Sequence, residues 1–127
     1  MMGGSPLRWT VTDDPLTLMI DGDMFAIDLG AEKIIAAEKG NEKIAIEIKT
    51  FDQPSLIYEF HKALGQYFNY QTALIESSSN RELFVAIPDS ILEKLMNKSI
   101  VRKSIERLKM KFIIVNLETL KIVKWIK

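Results

Sequence analysis

Between Lys43 and Thr50 the chain alternates residue by residue: Ile44, Ile46 and Ile48 fall to one side, and Ala45, Glu47 and Lys49 to the other. Only an extended strand has that period of two. A few residues later the period changes. Pro54 suits the first turn of a helix, Asp52 or Ser55 can cap it, and Leu56, Phe60, Leu64, Phe68 and Leu74 then recur near a 3.6-residue spacing up to about Glu76. A strand running directly into a long helix is the strongest constraint on what this chain can fold into.

The rest of the chain is read around that junction. Met1 to Pro6 form a flexible leader, and residues 7–127 are expected to be one domain. Trp9 and Val11, then Leu16, Leu18 and Ile20, alternate with polar residues on either side of Asp13-Asp14-Pro15. Asp21-Gly22-Asp23 reads as a hairpin turn into a strand at Met24–Leu29, and Gly40-Asn41 joins a strand at Ile34–Glu38 to the alternating segment. These strands are expected to form one antiparallel meander. Ser77-Ser78-Ser79-Asn80 end the long helix, and Leu83–Ile87 is an apolar run of the kind buried on both faces of a sheet. Asp89 or Ser90 is expected to cap a short helix, a second covers about Ile100 to Lys109, and Phe112–Val115 and Leu120–Ile126 close the chain as strands. Lys121, Lys124 and Lys127 suit an exposed sheet edge. The pattern is α/β with a mixed sheet; it is not a βαβ series, and no glycine-rich phosphate loop follows a strand.

Composition sets outer limits. The 127 residues contain no cysteine, which removes disulfides, thiolate catalysis and cysteine zinc sites and fits a cytoplasmic protein. No apolar run approaches a membrane span. Seventeen Lys and Arg balance seventeen Asp and Glu, and a neutral domain is expected to have little electrostatic hold on DNA unless a partner or a second copy helps.

One constellation carries chemistry. Glu47 and Lys49 stand two apart on a strand and so leave one face. Glu47-Ile48-Lys49 is the only acid-x-Lys triplet in the chain. Asp28 lies near the end of an earlier strand, from which hairpins can bring it beside Glu47. Two carboxylates and a carbonyl oxygen make a hard-oxygen site suited to Mg²⁺ or Mn²⁺, with Lys49 steadying an attacking hydroxide or the developing charge. Spacing alone leaves a solvated strand face open as the alternative. Gln66 and Tyr70 stand one helical turn apart and can point back to that strand as residues that bind the DNA substrate, with Gln66 hydrogen-bonding a phosphate or a metal-bound water, or can simply pack.

Asp28-Leu29-Gly30-Ala31-Glu32, Ala36-Ala37-Glu38, the run from Lys43 to Lys49, Pro54-Ser55 and Ala63-Leu64-Gly65-Gln66 closely resemble the XisH family, the fdxN element excision controlling factors. The likeness covers almost everything from Trp9 to Ile126. It implies a restriction-endonuclease-like, PD-(D/E)XK fold and a role in excising a DNA element alongside a recombinase, with a small XisI-like partner. In that superfamily Asp28, Glu47 and Lys49 fall where the acids and the lysine are kept, and Gln66 with Tyr70 resembles the Q-x-x-x-Y pair that follows them. The family pattern also has a helix before the Trp9 segment. This sequence starts almost at Arg8, so either the start is truncated or this copy has lost that helix. A missing helix is expected to leave apolar surface near that strand, fit for a partner or a second copy.

Other polar residues are weaker candidates. His61 is a lone helical histidine, Glu38 is expected to be an exposed charge, and Glu32 is an alternative acid. Lys98, Arg102, Lys103, Arg107, Lys109 and Lys111 are expected to form a solvated face, with Glu106 able to pair with Arg102. Trp9 and Trp125 are expected in the core or an interface. Two functions follow: a Mg²⁺-dependent endonuclease-type phosphodiesterase acting on DNA, or an inactive nuclease-fold subunit that binds an XisI-like protein and assists a recombinase.

Overall fold

Alternating and helical periods are both realised where the sequence places them. The computed structural model describes residues 9–127 except 15, 21, 22, 27, 30, 31 and 120, with the backbone alone at 17, 19, 20, 23–26, 28, 29, 32 and 33. The expected leader at 1–6 and the first two residues of the 21–23 turn lie outside the described residues. The elements are β1 (Thr10–Asp13), β2 (Thr17–Ile20), β3 (Asp23–Ala26), β4 (Asp28–Leu29), β5 (Glu32–Lys39), β6 (Glu42–Ile48), α1 (Leu56–Glu76), β7 (Glu82–Pro88), α2 (Asp89–Met96), α3 (Ser99–Leu108), β8 (Phe112–Asn116) and β9 (Lys121–Ile126).

The main sheet has the order β1-β5-β6-β7-β8-β9, with β4 also paired to β5. It is mixed: β1, β4 and β6 run antiparallel to β5, β7 and β8 are parallel, and β9 returns antiparallel to β8. The expected meander is only partly formed. The segment expected as one strand over Met24–Leu29 is divided: β3 pairs with β2 in a separate two-stranded sheet, and only Asp28–Leu29 joins β5. Backbone pairing, which a period-2 pattern leaves unspecified, made that choice.

By contacts the chain divides into two compact units, residues 1–47 with 70–83 and residues 48–69 with 84–127. In the first unit, β5 and β6 form a two-residue hairpin in which Lys39 faces Glu42 across Gly40-Asn41. Gly40 has φ 60°, a conformation a side chain would strain. The register then runs Glu38↔Lys43, Ala37↔Ile44, Ala36↔Ala45 and Ile34↔Glu47, which lines up Ile34, Ala36, Ala37, Ile44 and Ala45 as core residues. Leu16 N–H donates to the Ile34 carbonyl at 2.8 Å. The last residues of α1 end in a left-handed cap: Ser78 has φ 59°, its N–H donates to Ile75, and Ser79 N–H donates to Leu74.

Arg81 follows that cap and ties three strands together. Its guanidinium donates to the carbonyls of Ala37 and Ile44 at 3.3 Å each, pairs with Glu38 at 2.9 Å and lies 3.8 Å from Asp13. Glu38 is therefore a half-buried ion-pair partner, not the exposed charge expected from its position. An arginine 43 residues downstream reaches it.

In the second unit, Lys49 N–H donates to the Ala86 carbonyl at 2.9 Å, so the chain leaving β6 is hydrogen-bonded to β7. Leu83, Phe84, Val85 and Ile87 are buried, as a continuous apolar run in an inner strand should be. Ser55 caps α1, its Oγ accepting from Tyr58 N–H at 3.2 Å. Along α1 the buried residues are Phe60, Ala63, Tyr67, Tyr70, Ala73 and Leu74, whereas Phe68, expected on the apolar face, is 61% exposed. The buried stripe sits one residue round from the expected one, because alanine and tyrosine supply it and not only leucine and phenylalanine.

Helix α2 begins without a side-chain cap: Pro88 holds the N-cap position, and the Asp89 carboxylate accepts from Asn116 Nδ2 at 3.0 Å. Neither expected cap forms, because Asp89 is drawn to the end of β8. Val101 and Ile105 bury one side of α3, which ends at Lys109 in a left-handed conformation with φ 52°. Trp125 on β9 meets Phe84 edge-on at 5.1 Å between ring centroids, which places it against the core as expected.

Candidate active site

At the end of β6 the usual distribution of charge is inverted. Strand alternation sends Ala45, Glu47 and Lys49 to one side. Glu47 is 0% exposed and Lys49 7%, while Ile48 between them is 45% exposed. The solvated-face alternative is excluded: the isoleucine faces outward and the ions inward. Taking a carboxylate or an ammonium out of water costs several kcal/mol per ion, before any compensation. A strand that needed only packing at these positions would be more stable with apolar side chains.

In the second unit, Lys49 Nζ donates to Gln66 Oε1 on α1. Lys49 is thus held twice, by its backbone to Ala86 and by its amine to an amide on the helix. Two residues on, Phe51 turns the chain towards α1. It is 8% exposed and has φ 52°, a left-handed conformation that costs a bulky residue about 1–2 kcal/mol. Strain of this kind persists only where surrounding packing over-determines the backbone, and it collects at functional sites. Nothing in the sequence near Thr50 signalled it.

Asp28 enters through its backbone. In the first unit Asp28 faces Lys33 on β5, and the next residue of β5, Ile34, faces Glu47. Neighbouring positions of a strand alternate faces, so this register does not by itself bring the two acids to one face of β5; the Asp28 side chain lies outside the described residues. Glu32, the alternative acid, faces Leu29 across the same short ladder and is also described by its backbone alone. Tyr70, one turn beyond Gln66, is 5% exposed, and His61 is exposed on α1.

Among the described residues no three His, Cys, Asp or Glu side chains form a metal-holding group. The donor chemistry still suits Mg²⁺, which takes one or two protein carboxylates and completes its shell with water and phosphate oxygens. Glu47 offers one carboxylate of that kind, and Asp28 is placed at β5 by its backbone alone. Arg81 was missed by sequence reasoning altogether; it follows a serine-rich loop with no pattern around it, and its partners come from β1, β5 and β6.

The chain matches the model of the XisH protein family over residues 7–123. Two solved structures are similar to it: an XisH family protein from Nostoc punctiforme PCC 73102, with a TM-score of 0.81, and an fdxN element excision controlling factor protein from Anabaena variabilis, with a TM-score of 0.82. Each is 36% identical to this chain, and each alignment covers 94% of this chain and 88% of the other. No curated protein matches it. Among the described residues no helix is long and apolar enough to cross a membrane.

Proposed function

The chain belongs to the XisH family, and we propose that it acts in the excision of a DNA element through a Mg²⁺-dependent phosphodiesterase site made by Asp28, Glu47 and Lys49. The observation that carries this reading is the inward placement of Glu47 and Lys49 with the lysine bonded to Gln66. Buried ionisable groups in named mutual positions mark functional sites more often than they stabilise a fold. The role in excision rests on the resemblance to the fdxN element excision controlling factor. The nuclease chemistry rests on the residues.

In this reading Asp28 and Glu47 would hold the metal, which when bound would polarise a phosphoryl oxygen and acidify a water. Lys49 places its ammonium where negative charge develops on the phosphate, and Gln66 fixes the lysine stem so that the charge needs no reorganisation. Tyr70, buried one turn further along α1, positions the helix that carries Gln66.

A second reading is favoured by two observations: Glu47 is fully buried, and Val11 on β1 is 56% exposed. The first limits access to the carboxylate, and the second leaves apolar surface on a strand. This reading makes the protein an inactive subunit of nuclease-like fold that binds an XisI-like protein and assists a recombinase. Nicking of supercoiled plasmid under Mg²⁺ or Mn²⁺ separates the two. The enzyme reading predicts metal-dependent cutting that is lost in Glu47→Ala and Lys49→Ala. Absence of cutting with either metal, together with co-purification with an XisI-like protein, would establish the accessory role.

A further inference from the structure

Whole-chain neutrality conceals a division. The first unit carries five Lys and Arg against eleven Asp and Glu, a net charge of −6; the second carries twelve against six, a net charge of +6. Most of the division already runs along the chain: residues 1–47 carry four Lys and Arg against nine Asp and Glu, and residues 84–127 carry ten against four. Attraction to a polyanion depends on where charge sits as well as on its sum.

Within the second unit the excess is presented outward. Val101 and Ile105 bury one side of α3, which leaves Lys103 and Arg107, one turn apart, exposed on the other. Arg102 is anchored to the Met96 carbonyl at the end of α2, and Lys98 is exposed between the helices. On β9, Lys121 faces Asn116 and Lys124 faces Ile114, with a register shift between Ile114 and Val115. Asn116 and Ile114 are two apart on β8, so the shift brings Lys121 and Lys124 to one face, and both are exposed. Asn116 in turn bonds Asp89 at the start of α2, which ties that strand end to the helical side of the unit.

We propose that the exposed cations of the second unit, on α3 and on β9, bind the phosphate backbone of DNA. Charge complementarity carries the choice of partner. Flexible, mostly lysine cations spread over two elements suit a repeating polyanion, where each neutralised phosphate releases counterions and adds affinity without base recognition. The naming of DNA rests on the element-excision reading. None of these cations is among Asp28, Glu47 and Lys49, so binding and cutting are tested as separate outcomes.

The test is duplex binding by fluorescence anisotropy in EDTA, with the intact chain carrying Glu47→Gln, between about 50 and 200 mM salt. The expected result is a linear fall of log affinity with log salt. Lys103→Glu with Arg107→Glu should weaken binding at least about tenfold and flatten the slope by roughly two. Lys121→Glu with Lys124→Glu should do the same from the other element, and it covers the case in which the α3 variant fails to fold. Lys43→Glu, an exposed cation of the first unit, should change affinity less than about twofold. No binding by the parent chain, or equal losses in all three variants, would overturn the proposal. So would reversal variants that abolish salt-sensitive dimers in light scattering while DNA affinity stays unchanged, because these cations would then serve the acidic unit of a second copy. Binding without metal-dependent cutting would leave this proposal standing and remove only the nuclease site.

Discussion

Each unit of the molecule draws one cation out of solvent, and the two are held in different ways. In the acidic first unit, Arg81 is 12% exposed at its side chain, and its guanidinium reaches two backbone carbonyls and two carboxylates on β1, β5 and β6. In the basic second unit, Lys49 is 7% exposed and donates to the neutral amide of Gln66. A guanidinium is a rigid fork that can satisfy several acceptors at once; an ammonium on a flexible stem is a movable point charge. The first arrangement is what a fold needs to hold strands in register. The second is what a reacting phosphate needs close by, and it sits beside a strained turn at Phe51 and two residues from a buried carboxylate. Buried charge alone therefore does not identify a site.

That contrast makes opposite demands on mutants. The largest expected effect is on activity at the second cation. Glu47→Gln or Lys49→Ala should lower metal-dependent DNA cutting by about 100-fold or more, and Glu47→Gln should still fold and melt cooperatively, because the amide keeps the shape and volume of the carboxyl group. Plasmid nicking and a thermal melt on the same preparation check both halves. A loss of stability with activity intact would reduce the buried pair to a structural element.

Arg81→Ala should do the reverse. It removes the guanidinium from Glu38, Ala37 and Ile44 and leaves a half-buried carboxylate behind, a loss of about 3 kcal/mol. Denaturant unfolding should show it, with metal binding retained at temperatures where the variant stays folded. A change within experimental error would mean that β1, β5 and β6 hold register without the clamp.

A smaller effect is expected where the second unit closes β8 onto β9. The Asn116 carbonyl oxygen accepts from Glu118 and Thr119 N–H at 2.9 Å each, while its amide donates to Asp89. Asn116→Ala should cost about 1–2 kcal/mol. It should also weaken DNA binding, because the β9 lysines lose their anchor. Chemical denaturation and anisotropy together separate these outcomes.

The smallest effects come from the helix ends, and they differ between units. Ser78 and Lys109 both sit at positive φ after a helix, so Ser78→Gly and Lys109→Gly should each add about 1 kcal/mol of stability by removing left-handed strain. In the first unit that gain should come without loss of function. In the second it removes one exposed cation, and the salt slope of DNA binding should fall by about one. Equal DNA binding in the two variants would argue that the DNA-binding cations stop short of the end of α3.

Much of this protein is written locally. The period-2 run through Glu47 and Lys49, the turn at Gly40-Asn41, the cap at Ser55 and the apolar run from Leu83 depend on residues a few positions apart, and each is found where the sequence places it. Glu47 and Lys49 could be paired on one strand face from spacing alone, and Gln66 could be aimed at them from the following helix. Whether that face was wet or dry could not be read, because burial is decided by elements brought in from elsewhere in the chain. The same holds for Glu38, neutralised by an arginine 43 residues away; for Asp89, taken from its helix end by Asn116; and for β3, paired with β2 outside the main sheet. The charge division does not belong to this class, since residues 1–47 are already net acidic and residues 84–127 net basic along the sequence. Periodicity and the run of charge are set by neighbours and survive in the sequence; solvent exposure and ion pairing are set by long-range pairing, and only the tertiary structure decides them.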